Sequence, residues 1–373
     1  MNQALSIRFF AHSWISDWNH GNAHFLRGLV RELVRMGHEV RCYEEAGGWS
    51  LNNLIQEGDA AVKAIDEFHV TYPELDVRFY ERDKNFPAFL DQELVDADLV
   101  IIHEWNEPEA VNEILGRKKR FGFRALFHDT HHRAYSNASQ IRRFHLEMFD
   151  GVLAFGEAIR RIYADGFGVG RTWTFHEAAD VSVFYPMERA KQNDVVWIGN
   201  WGDEERTQEL MDFLVSPAAQ LTAERRRVLV HGVRYPEEAR NTLRGSGISY
   251  SGYLPNLGAP EVYARSRLAL HVPRRQYANG LSGIPTIRVF EVLACGIPLV
   301  CAPWADTEGL FRCGKDYAVA RDGAEMSTLL AELLACETTR QQIASSGLET
   351  IRQHHTCRHR AEQLMEIWRE ITR

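Results

Sequence analysis

The 373-residue chain reads as an α/β protein built from two doubly wound, Rossmann-like domains. Two observations predict this. Apolar runs of strand length alternate with stretches of helical periodicity, and the alternation restarts near the middle of the chain. The length allows each domain a core of its own.

The first series opens with the strand-length run Ile7 to Ala11, followed by a polar loop, His12 to Asn22, that contains Gly21. Apolar residues then fall at helical spacing through Phe25, Leu26, Leu29, Val30 and Leu33. Met36-Gly37-His38 closes that helix and Glu39 to Tyr43 starts the next strand, which completes a βαβ unit. Leu99 to His103, Arg124 to Phe127 and Val152 to Phe155 are further strands, with helical sequence between them, as a parallel sheet covered on both faces requires. The pattern resets over Asp180 to Pro186. A second series follows: Val195 to Gly199, Arg227 to His231, Ile248 to Tyr250, Leu268 to Val272, Pro298 to Cys301 and Tyr317 to Ala320. Three helical stretches close the chain, Ala324 to Ala335, Thr338 to Gln353 and His359 to Ile371. The expected domains are therefore 1–185 and 186–356.

Lysine and arginine number 43 against 51 aspartates and glutamates, a net charge of -8 with no basic stripe, so nucleic acid is not an expected partner. The six cysteines are scattered without metal-ligand spacing and read as reduced residues. No opening stretch resembles a signal peptide, and no run approaches the ~20 apolar residues of a membrane span. A soluble, cytoplasmic protein is expected. Arg27, Arg31 and Arg35 on the first helix fit an amphipathic helix packed on a sheet and leave peripheral membrane contact open.

Open parallel sheets bind ligands at the carboxyl ends of their strands, so the loops after each strand hold the candidates. The run Arg288-Val289-Phe290-Glu291-Val292-Leu293-Ala294-Cys295-Gly296-Ile297-Pro298 sets Arg288 and Glu291 at the start of a short apolar helix. The first amides of a helix lack intrahelical acceptors and its dipole favours an anion, so a diphosphate fits near Thr286 and Ile287. Glu291, one turn inside, would face the hydroxyls of a ribose. The plain alternative is an exposed ion pair three residues apart on a core helix. Arg206 follows the Gly199 to Gly202 loop at the start of a helix, where an arginine is unusual on dipole grounds unless an anion sits nearby. Arg274 is a further candidate for phosphate.

In the first domain, Phe127-His128-Asp129-Thr130-His131-His132 follows a buried strand, with His128 as the candidate for a catalytic or acceptor-orienting role, or else a structural histidine, and Asp129 as its hydrogen-bond partner or as a contact to the acceptor. These histidines lack the i, i+4 spacing of a helical metal site, and no metal is expected. Glu104, Trp105 and Glu107, and Trp14, Trp18 and His20, would line an acceptor pocket or else cover the local core. His176 and Glu177 stand at the crossing between domains, as an acceptor base or as part of a hinge.

Several segments carry a resemblance: Gly21-Asn22 with the helix ending at Met36-Gly37-His38, Gly151 to Gly156, His176 to Pro186, Trp197-Ile198-Gly199-Asn200-Trp201, Ser249 to Pro255, and Arg288 to Pro298. In this order they resemble GT-B glycosyltransferases of the glycogen-synthase-like family 4, and more closely the CgeB-type spore-maturation branch, where an arginine precedes the Phe-Glu pair. The resemblance implies two domains facing a cleft, a last helix (357–373) packing back on the first domain, and a nucleoside diphosphate sugar as donor, with UDP or GDP as its nucleotide and no other cofactor. It implies retention of configuration without a metal. It places Gly21 and Asn22 near the donor phosphate, Gly199, Asn200 and Trp201 in the first donor loop, and Tyr253 and Leu254 at the base. It leaves the acceptor open among sugar, lipid-linked, protein and small-molecule classes.

One departure matters. The family's first glutamate, near the sugar hydroxyls, is Gly283 here. Donor identity therefore does not carry over. Two other readings stay open, a nucleotide-sugar 2-epimerase on the same fold and a non-catalytic scaffold.

Overall fold

A computed structural model describes residues 4–202 and 204–373. It contains two parallel sheets. The first has seven strands, β1 (Ser6–Phe10), β2 (Glu39–Glu45), β3 (Asp76–Tyr80), β4 (Leu99–His103), β5 (Arg124–Asp129), β6 (Gly151–Ala154) and β7 (Thr172–Thr174), in the order β3-β2-β1-β4-β5-β6-β7. The second has six, β8 (Asn193–Ile198), β9 (Val228–His231), β10 (Ser249–Tyr250), β11 (Ser266–His271), β12 (Leu299–Cys301) and β13 (Ala318–Val319), in the order β10-β9-β8-β11-β12-β13. Every pair is parallel. Both orders reverse beside the first strand of the sheet, between β1 and β4 and between β8 and β11, and ligands of doubly wound sheets bind at such switch points.

Two strands escaped the sequence reading, and both are edges. Asp76-Val77-Arg78-Phe79-Tyr80 pairs only with β2 among the described strands and includes the charged Asp76 and Arg78, and Thr172–Thr174 is three half-buried residues beside β6. An edge strand needs no continuous apolar run, so hydropathy does not reveal it.

The chain divides into two compact units. One runs up to Glu177 and regains Cys357–Arg373, and the other is Ala178–Thr356. The change falls eight residues before the position read from the sequence. Asp180 holds the turn that follows, accepting from Ser182 N and Oγ, Ala179 bridges Thr356, and Gly296 packs on Pro186. Residues 178–185 thus belong to the second unit. The last helix, Cys357–Thr372, lies with the first unit: Arg360 Nε donates to His176 O at 2.9 Å and Gln363 Nε2 to Thr174 O at 2.8 Å.

Each core is what its strands predict. Leu99 to Ile102 and Ala125 to Phe127 are buried in the first unit; Val195, Trp197, Val230, Leu268, Leu270 and Val300 centre the second. Among the described residues no helix is long and apolar enough to cross a membrane.

Candidate functional site

In the second unit, the loops after β8, β9, β10 and β11 meet at the carboxyl edge of the sheet. Helix Ile287–Ala294 starts beside them. Thr286 occupies its N-cap in an extended conformation, yet its side chain does not cap the helix. Its hydroxyl lies 2.9 Å from His271 Nε2 instead, which leaves the first helix amides without a capping side chain.

Arg206 stands at the switch point itself. Its guanidinium donates to Asn200 O at 2.6 Å, in the loop after β8, and to Val272 O at 3.2 Å, directly after β11. Nε has no partner, and among the described residues no carboxylate pairs with this arginine. Burial, with Arg274 and Arg288 nearby, pulls its pKa down to about 9, against the opposing charge of Glu205. Gly202 makes this pose possible. It takes φ +92, and a methyl group there would come within 2.7 Å of Arg206 Cγ.

His271 closes β11 and is buried near Arg206 and Arg288. Burial and then their charges hold its imidazole down at about 3, so the ring is neutral, and Nδ1 is buried without a partner. The sequence points to Arg274 in the loop that follows and not to this residue. The signal was present: a polar side chain ending an apolar strand at the ligand edge.

Glu291, expected to face a ribose, is fully buried. Asn256 Nδ2 donates to Oε1 at 3.1 Å, and Arg288 and the Tyr263 hydroxyl engage Oε2. Arg288 keeps 21% side-chain exposure above it. Burial works against the charge on Arg288, but Glu291 and Tyr263 more than offset this and raise its pKa. The carboxylate thus fixes a guanidinium at the mouth of the helix. The exposed ion pair of the plain alternative is not what forms, since one partner has no contact with water.

The remaining expected donor residues gather around this centre. Gly199 O accepts from the Tyr235 hydroxyl at 2.8 Å, and Asn200 Oδ1 accepts from Val233 N at 3.0 Å. Trp201 is buried against Tyr235, with ring centroids 5.5 Å apart. Tyr253 and Leu254 are half-buried in the loop after β10, two to three residues before Asn256. Ile287 is buried at the helix start. Arg274 is paired with Glu205 and so contributes less free charge than expected.

The first unit holds a second cluster at its own switch point. His103 Nε2 lies 2.9 Å from Thr130 Oγ1 and 3.0 Å from Glu104 Oε2, and Asn22 Nδ2 donates to the same Thr130 oxygen. Gly21 and Asn22 are therefore gathered with His103, Glu104 and Thr130. Burial and the neighbouring Asp129 raise the Glu104 carboxyl well above its ordinary range. His12 and His20 adjoin this group, their rings 4.0 Å apart, and burial holds both neutral. Trp105 is exposed and carries the Arg133 guanidinium 3.9 Å over its ring. Trp14 is a core residue donating to Tyr43 O, and Trp18 donates to Glu57.

His128 does not reach the edge. Its ring is fully buried among Phe9, Phe25, Phe175 and His103, and burial lowers its pKa to about 3. A side chain pointing inward from a strand flanked by neighbours on both sides ends in the core, and the alternation of the strand put it there. Asp129 points elsewhere: it accepts from the Tyr163 hydroxyl at 2.6 Å and from His131 N at 2.8 Å, and burial pushes it up to about 6. The two are not partners. His176 and Glu177 are buried at the end of the unit, with His176 Nδ1 3.1 Å from Phe155 O. Among the described residues no three His, Cys, Asp or Glu side chains converge on a metal-sized site.

Two Rossmann-like units with parallel sheets of this order have the GT-B glycosyltransferase fold. Residues 206–366 match a family described as glycosyl transferase-like. The chain is similar in structure to Anabaena HepE solved with UDP and glucose, at a TM-score of 0.70 and 15% identity over 97% of this chain and 99% of that one. It is also similar to sucrose-phosphate synthase from Thermosynechococcus elongatus (TM-score 0.66, 14% identity, 99% of both chains). An alpha-glucosyltransferase solved with UDP and a 13-mer DNA gives a TM-score of 0.70 at 12% identity over the whole of both chains. No curated protein sequence matches the chain.

Proposed function

We propose that this protein is a glycosyltransferase of the family 4 or CgeB-like kind, which takes a sugar from a UDP-linked donor with retention and without a required metal. The observation that carries the reading is Arg206, a half-buried arginine whose Nε is buried without a hydrogen-bond partner and which pairs with no carboxylate among the described residues. It lies beside a second arginine and a helix N-terminus that no side chain caps. A partly buried charge with neighbouring arginines and no paired carboxylate is costly, and a diphosphate would offset that cost. Breaking the sugar-phosphate bond builds negative charge on the leaving diphosphate, and preoriented guanidinium forks and helix amides stabilise it. In this scheme Arg206, Arg288 and the amides of Ile287 and Arg288 bind the diphosphate. Glu291 acts through Arg288 as a positioning residue. The loop carrying Tyr253 and Leu254 meets the base through its main chain, and Asn256 ties that loop to Glu291. UDP is the nucleotide chosen because structural neighbours were solved with it.

Thermal melting with UDP, GDP, ADP, TDP and CDP tests the donor site. A nucleotide at 100 times its dissociation constant adds about 2.7 kcal/mol to the folded state. We expect UDP to shift the melt without added metal, and Arg206→Gln to abolish the shift. That variant leaves only two backbone carbonyls without their donor, so it is expected to fold, whereas Arg288→Ala would strand a buried carboxylate. A protein that no nucleotide stabilises is a scaffold.

A further inference from the structure

We propose that a cavity at the amino ends of β6 and β7 binds a small organic anion with an aromatic body. The site belongs to the first unit alone, and the proposal stands whether or not the second unit takes a nucleotide.

The cavity holds about 520 Å³ between two segments, residues 142–151 and 167–171. Pockets that take small molecules are usually about 300–1,000 Å³. Gly151 opens β6 and Arg171 immediately precedes β7, so the cavity lies at the edge of the sheet opposite to the switch point. The four residues of β6 separate the two edges by about 13 Å. No candidate donor or acceptor residue lines it.

Its walls are fixed by the chain around them. Phe167 N donates to Ile162 O at 3.1 Å, Val169 N donates to Tyr163 O at 3.0 Å, and Arg171 O accepts from Val152 N at 3.0 Å. The Phe167 ring stacks on Tyr163 with centroids 5.3 Å apart, and the buried Tyr163 is itself held by its hydroxyl on Asp129. On the other wall Phe149 is buried edge-on to Phe127, with Leu146 buried nearby in sequence. Two ordered phenylalanines from different segments favour a planar aromatic body, which stacks on one face or meets it edge-on.

The charges that line the cavity favour an anion. Arg142 and Arg171 come from opposite segments, both are exposed, and neither pairs with a carboxylate among the described residues. The Arg142 guanidinium is instead held 5.0 Å over the Phe167 ring. Of the two acidic lining residues, Asp150 is neutralised: it accepts from Ala125 N at 2.7 Å and pairs with Lys118 at 2.9 Å and Arg124 at 3.2 Å. Glu147 is exposed and lies 3.3 Å from His145. Two arginines therefore stand against one carboxylate that no lysine or arginine neutralises. Guanidinium groups donate two parallel hydrogen bonds to an oxyanion. An anion that engages Arg142 brings its attached ring against Phe167.

Fluorescence titration with 1-anilinonaphthalene-8-sulfonate, an aromatic anion, and with N-phenyl-1-naphthylamine, the same rings without the sulfonate, tests this. The wild type should bind one equivalent of the sulfonate saturably and the neutral dye at least about tenfold more weakly. The double variant Arg142→Gln, Arg171→Gln should lower sulfonate affinity to that of the neutral dye, and Phe167→Ala should weaken both dyes. Both arginines are exposed, so the double variant is expected to keep the wild-type melting temperature. Should Phe167→Ala fail to fold, the arginine pair alone decides. Absence of saturable binding, equal affinity of the wild type for the two dyes, or sulfonate binding that the double variant leaves unchanged would each overturn the proposal, the last by placing the dye elsewhere.

Discussion

At the scale of single residues, His128 shows how a site histidine and a core histidine differ. Both follow an apolar strand in the sequence, but His128 faces three phenylalanines and neither ring nitrogen has a partner among the described residues. Its pKa of about 3 in the fold, against 6.5 for a free imidazole, means that the unfolded chain binds a proton the native protein refuses between those values. Stability therefore falls as pH drops below 6.5, by about 1.4 kcal/mol per unit, until pH approaches 3. His12 and His271, each also near 3, add slopes of the same sign. His128→Phe should fit the aromatic surroundings, raise the melting temperature at neutral pH by removing a buried unpaired polar group, and flatten the loss between pH 6.5 and 5. Melts across that range check it, and a variant as acid-sensitive as the wild type would refute the argument. Arg206, by contrast, was legible because an arginine at a helix start goes against the dipole. His271 was not, because its contact with Thr286 spans 15 positions of chain.

At the scale of elements, strands buried on both faces were visible as apolar runs, and β4 was read to its last residue. The edges β3 and β7 carry polar residues and were missed. The loops expected to meet a donor were legible as glycine-containing segments after strands, but their mutual bracing was not, because it depends on tyrosines from other segments. Tyr235 accepts from Trp197 Nε1 at 3.1 Å and donates to Gly199 O at 2.8 Å, and Tyr250 donates to Gly232 O at 2.8 Å. One hydroxyl thus ties β8 and its loop to the loop after β9. Tyr235→Phe preserves the ring stacked near Trp201 and Tyr250 but leaves a buried indole N–H and a carbonyl without their partner. We expect a cost of about 1–3 kcal/mol in denaturant unfolding. Nucleotide affinity should fall with it, because Gly199 and Asn200 lose their brace while Asn200 O still receives Arg206. Unchanged stability would show that the hydroxyl bonds are replaced by water.

At the scale of the whole molecule, the doubling of the α/β pattern was legible, and the return of the last helix came from the resemblance, since nothing in the periodicity of Cys357–Thr372 names its partner. The structure supplies the physical reason for that return. Helix Ala23–Arg35 buries an apolar face, and Cys357–Thr372 sets Ala361, Leu364, Met365, Ile367 and Ile371 in the core of the same unit. Trp173 of edge strand β7 donates to Glu370 at 2.9 Å, so the helix also holds the weakest strand of that sheet. Four large apolar side chains buried at about 1.5–3 kcal/mol each amount to roughly 6–12 kcal/mol, comparable with the net stability of a domain. Deleting 357–373 should therefore unfold the first unit. The second unit keeps a continuous core of its own around Val195, Leu268 and Val300. Hydrogen exchange on the truncated chain should show lost protection in β4 to β7 and retained protection in β8, β11 and β12, with UDP still slowing exchange in helix Ile287–Ala294. Loss of protection in both sheets together would mean that the last helix supports the fold of the second unit as well, and the separate cores would not explain the stability of either.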